Sequence, residues 1–103
     1  EVAGAYNFGP ETSEAAPVRG VIDLARQTFG SGKINYGDGR EGPHEAGLLA
    51  LDVTKSRSVL GVRARWSLGE SVSRTMQWYL AQGNGSNVPD LCNADIDAYL
   101  TEE

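Results

Sequence analysis

The chain has one cysteine and one histidine in 103 residues, and its acidic residues outnumber its basic ones, fourteen to nine. Each shortage excludes something. A lone Cys92 can close no internal disulfide, which fits a reducing compartment, and a cytoplasmic setting is expected. A lone His44 has no histidine or cysteine partner at metal-ligand spacing, so no metal site is expected. At a formal charge of −5 the chain lacks the clustered Lys and Arg that bind a phosphate backbone, and nucleic acid is not an expected partner. Arg57, Arg63 and Arg65 form its densest basic group. No apolar run approaches the length of a membrane span, so no membrane partner is expected. Nor does the opening Glu1-Val2-Ala3-Gly4-Ala5-Tyr6 have the charged start and apolar centre of a signal peptide. A start directly on an apparent strand is what a fragment or an isolated C-terminal domain would show.

What remains is ordinary globular composition, 40% hydrophobic and 22% charged, and the length fits one domain over 1–103. Residues 2–8 mix Val, Ala, Tyr and Phe before Gly9-Pro10 and read as a short strand. Pro17 opens a helix in which Val18, Val21, Ile22, Ala25 and Phe29 share one face, and Gly30 stops it. Residues 33–36 alternate as a second strand, and 48–51 read as a third. Asp52 or Thr54 caps a brief helix that ends at Gly61.

Ser67-Leu68-Gly69-Glu70 is a capping box, in which Ser67 takes the Glu70 amide and Glu70 reaches back. The helix behind it lines up Leu68, Val72, Met76, Tyr79 and Leu80 and ends near Gly83. Residues 83–92 read as a Gly, Asn and Ser-rich linker to a short last helix, capped by Asn93 and carrying Ile96, Tyr99 and Leu100. The expected fold is a small mixed α/β domain of short strands and about four helices, without a Rossmann domain.

The loop at 37–47 holds the candidate chemistry. Gly37-Asp38-Gly39-Arg40-Glu41-Gly42 matches G-x-G-x-x-G, but that motif needs a helix opening on its last glycine to meet a pyrophosphate. Pro43-His44-Glu45-Ala46-Gly47 follows instead, so the match reads as chance and the stretch as a lead-in to Pro43-His44-Glu45. His44 has no nucleophile or orienting partner in view and is either a surface histidine or a donor to an anionic ligand, with Arg40 close enough to help. Glu41 and Glu45 read as solvated loop carboxylates rather than an acid–base pair. Nothing basic adjoins Cys92 to activate its thiol. Tyr6, Tyr36, Tyr79 and Tyr99 are followed four residues on by Pro10, Arg40, Gly83 and Glu103, so no Tyr-x-x-x-Lys is present. Trp66 and Trp78 read as packing residues.

Several blocks carry a family likeness. Tyr6-Asn7-Phe8-Gly9-Pro10, Pro17-Val18, Pro43-His44-Glu45-Ala46, Leu51-Asp52 with Lys55, Leu60-Gly61 and the tail Ile96-Asp97-Ala98-Tyr99 are collinear across nearly the whole chain. Together they resemble the C-terminal part of the CDP-glucose 4,6-dehydratases. These are NAD-dependent lyases within the extended short-chain dehydrogenase/reductase (NAD-dependent epimerase/dehydratase) group.

The resemblance implies a small α/β substrate-binding domain that closes over a nucleotide-sugar. NAD and a Tyr-x-x-x-Lys pair would sit on an N-terminal Rossmann domain. The Pro43-His44-Glu45 loop would face the substrate diphosphate, which makes His44, Arg40 and Glu45 the candidate substrate-binding residues. Asn7, Pro43 and Gly61 would be structural. Catalytic and cofactor-binding residues are expected outside the chain.

Departures from the family pattern fall at Gly42 and Gly47, where a basic residue and a histidine are usual. Aromatics expected near Gly20 and Val62, and a proline near Ala64, are also missing. The expected function is therefore a catalytically incomplete nucleotide-sugar-binding domain. The alternatives are a self-associating structural or interaction module that lost its ligand, or half of a dehydratase completed in trans by a separate Rossmann chain.

Overall fold

The computed structural model describes residues 1–37 and 50–101, and contacts gather the chain into two compact units. One comprises 1–15 and 34–64, the other 16–33 and 65–103. The described residues form four helices and one 3-10 turn, Thr12–Glu14, and no strand.

This corrects the α/β expectation. Residues 2–8 and 33–36 have the composition of strands, yet neither joins a ladder among the described residues, and a strand exists only through its partner's hydrogen bonds. Ala50 and Leu51 likewise carry no regular structure, while Leu48 and Leu49 lie outside the described residues.

The second unit holds three helices: α1 (Val18–Phe29), α3 (Leu68–Gly83) and α4 (Val88–Thr101). α1 and α4 each pack on α3. α1 starts behind Pro17, whose carbonyl takes the Val21 amide at 3.2 Å, and stops at Gly30 with φ 80°, where the Gly30 amide reaches the Arg26 carbonyl. Its inward face is Val21, Ile22, Leu24, Ala25 and Thr28; Val18 stays 74% exposed.

α3 is capped as its sequence foretells, the Ser67 hydroxyl accepting from the Glu70 amide at 3.1 Å. The Glu70 carboxylate, however, takes Arg74 Nε at 2.9 Å, one turn on. Leu68, Val72, Met76 and Leu80 form its half-buried i, i+4 ridge, whereas Tyr79 stays largely exposed.

α4 begins five residues before Asn93, the expected cap. The Asn87 side chain accepts from the Asp90 amide at 3.1 Å, and Pro89 lies in the first turn, where a missing amide costs nothing. What reads as a linker is thus partly helix.

Trp66 and Tyr99 meet edge to face at 4.9 Å, and the Arg74 guanidinium lies 4.5 Å above the Trp66 ring. Arg65 Nη1 donates to the carbonyls of Tyr99 and Leu100 at 3.0 and 3.1 Å, satisfying the end of α4. Both tryptophans are half-buried against protein groups, as packing residues are.

No apolar side chain among the described residues is fully buried. The unit is held by many half-buried contacts, each worth roughly 1 kcal/mol.

Candidate functional site

The first unit carries α2 (Thr54–Leu60), a seven-residue helix whose ends are set by two local devices. Asp52 accepts the Thr54 amide at 2.9 Å, two residues on. Bonds from the Thr54 side chain and then its backbone hold the Asp52 carboxyl below its ordinary value. At the other end Gly61 adopts φ 69°, a left-handed conformation, and its amide reaches the Arg57 carbonyl at 3.1 Å.

Three consecutive α2 side chains grip the N-terminal segment. Lys55 Nζ donates to the Ala5 carbonyl at 2.9 Å and lies 4.5 Å over the Tyr6 ring. The Ser56 hydroxyl, 2% exposed, faces the carbonyls of Asn7 and Val53 at 2.8 and 2.9 Å. Arg57 Nη2 pairs with Glu11. A short helix covers much of its circumference in three residues, so each reaches a different stretch of 5–11. Arg57 Nε is buried with no hydrogen-bond partner among the described residues.

This arrangement positions; it holds no reactive pair. Among the described residues no group of three or more His, Cys, Asp or Glu comes together to hold a metal ion. No described helix is long and apolar enough to cross a membrane.

Of the sequence candidates, Asn7 is placed by its backbone carbonyl on Ser56, and Gly61 by its left-handed turn. Arg40, Pro43, His44 and Glu45 lie outside the described residues, as does nearly all of the G-x-G-x-x-G match. Ser56 and Arg57 were not among the candidates. Ser56 looks like any exposed helix serine in sequence, and only the return of a segment 49 residues away buries it.

Comparison with known proteins gives a partial match. The chain is 31% identical over 96 residues to CDP-glucose 4,6-dehydratase of Salmonella typhimurium. That is a weak homology covering 93% of this chain, which spans only 27% of the relative's length. No protein-family model matches the chain. No solved structure matches it either.

Proposed function

We propose that the chain is the nucleotide-sugar-binding piece of a CDP-glucose 4,6-dehydratase-like protein and does not complete the reaction by itself. One observation carries this reading: the collinear likeness to that dehydratase along 93% of the chain. A match of 96 of the 103 residues necessarily takes in Pro43-His44-Glu45 and Leu60-Gly61, and it leaves most of the relative uncovered. Hydride chemistry on the sugar needs NAD and a tyrosine–lysine pair, and this sequence has no Tyr-x-x-x-Lys. Those parts belong to the portion of such a protein outside the chain.

In this reading His44 and Arg40 donate to the diphosphate of the nucleotide-sugar, and Glu45 accepts from a sugar hydroxyl. α2 acts indirectly: its grip on 5–11 fixes one border of the unit whose sequence contains the loop.

Calorimetric titration with CDP-glucose, CDP and NAD tests the proposal. Binding is expected for the first two and not for NAD. His44→Ala or Arg40→Ala should weaken CDP-glucose about tenfold or more, the usual loss for one charge-assisted hydrogen bond. Heat with none of the three would instead favour an interaction module, a reading supported by the lack of any fully buried apolar side chain among the described residues. Assembly with a separate Rossmann chain would show as activity only when the two are mixed.

A further inference from the structure

α4 turns the wrong residues outward for a helix that packs on one side only. Leu91, Asp95, Ala98 and Tyr99 are its half-buried positions. Val88, Cys92, Ile96 and Leu100, each four residues from the last, are all exposed, Ile96 at 54% and Leu100 at 64%. Four residues is slightly more than one helical turn, so these side chains form a continuous apolar ridge about 18 Å long. Such a ridge fits between the rows of another helix.

Its surroundings decide what kind of helix. α4 carries Asp90, Asp95 and Asp97 and neither Lys nor Arg. Asp97 lies about 100° and Asp90 about 120° round the helix from Ile96, on the side away from the half-buried positions, so exposed carboxylates border the ridge there. Asp95, on the packed side, pairs with Arg74 of α3 at 3.7 Å. A second copy laying its own α4 on the ridge would set aspartates against aspartates, between chains that each carry a charge of −5.

We propose that the Val88–Cys92–Ile96–Leu100 ridge of α4 is a docking surface for an amphipathic helix whose apolar stripe is flanked by Lys or Arg. The apolar stripe provides the contact, and the basic flank meets Asp90 and Asp97. The surface is independent of the nucleotide-sugar reading, because none of its residues is among the candidate ligand residues.

The probe is a fluorescein-labelled helical peptide with leucines at i, i+4 spacing flanked by lysines, titrated with the full chain and followed by anisotropy. Its twin carries glutamates in place of the lysines. The lysine peptide should bind about tenfold more tightly than the twin, and more weakly as salt rises. Ile96→Ser should weaken it about tenfold, as loss of a central apolar anchor does. Asp97→Lys should narrow the difference between the peptides, with the helical circular dichroism of both variants unchanged. Equal affinity for the two peptides, or none for either, overturns the proposal. So does a dimer in sedimentation that Ile96→Ser disperses, because the ridge would then belong to a second copy.

Discussion

The Ser56 hydroxyl lies 2.8 Å from the Asn7 carbonyl and 2.9 Å from that of Val53, and it has one proton to share between them. The Val53 contact is local to the helix. The Asn7 contact ties α2 to a segment 49 residues earlier, and it is made by the one fully buried side chain among the described residues.

Ser56→Ala leaves the Asn7 carbonyl without this donor, beside a position that is only 2% exposed. It should destabilise the first unit by about 1–2 kcal/mol. Ser58→Ala, on the exposed side of the same helix, should change stability by less than about 0.5 kcal/mol. Urea denaturation of the two variants side by side checks the contrast; equal effects would remove Ser56 from its assigned role.

Gly61→Ala tests the end of α2. A Cβ at Gly61 would meet nothing within 4 Å, so any cost comes from the backbone at φ 69° and not from a clash. That cost is about 1–2 kcal/mol for a residue forced into the left-handed region. Asn, which tolerates that region better, should recover part of the loss.

The edge-to-face pair of Trp66 and Tyr99 should give a coupling of about 0.5–1.5 kcal/mol in a double-mutant cycle with Leu replacements. Arg65→Ala removes the donor that satisfies the Tyr99 and Leu100 carbonyls, so the end of α4 should exchange its amide hydrogens faster. An unchanged exchange pattern there would show that water replaces Arg65 at no cost.

Asp52 gives a pH test with a definite sign. Its carboxyl is held below the ordinary aspartate value by Thr54, so its bonds stabilise the folded chain fully above that value. The contribution is lost as pH falls through the lowered folded value. The stability difference between the natural chain and Asp52→Asn should therefore be constant near neutrality and shrink in acid. Urea midpoints across a pH series measure it, and a difference that grew in acid would reverse the assignment.

What could be read in advance follows from distance along the chain. Pro17, Gly30, Gly61 and the Ser67 cap act on neighbours a few residues away, so the ends of α1, the stop of α2 and the start of α3 were legible. The strands were not, because alternation describes a segment, while a ladder requires a partner elsewhere. The start of α4 was obscured because residues 83–92 read as a linker from their Gly, Asn and Ser content, although a first-turn proline such as Pro89 suits a helix. Ile96, Tyr99 and Leu100 read alike as apolar residues of the last helix, yet Tyr99 packs on Trp66 while Ile96 and Leu100 face outward. At the candidate site, His44, Arg40 and Glu45 rest on chemistry and family likeness, and they lie outside the described residues. The Ser56–Asn7 tie depends on a fold-scale return that no local pattern encodes.

The nucleotide-sugar reading is tested most directly by the chain's unfolding midpoint with and without CDP-glucose and NAD. A ligand that binds only the folded form stabilises it, by about 2.7 kcal/mol at a hundred times its dissociation constant. CDP-glucose should raise the midpoint and NAD should leave it unchanged, with the CDP-glucose shift reduced in His44→Ala. A shift with NAD equal to that with CDP-glucose, or no shift with CDP-glucose at any concentration, would contradict the account.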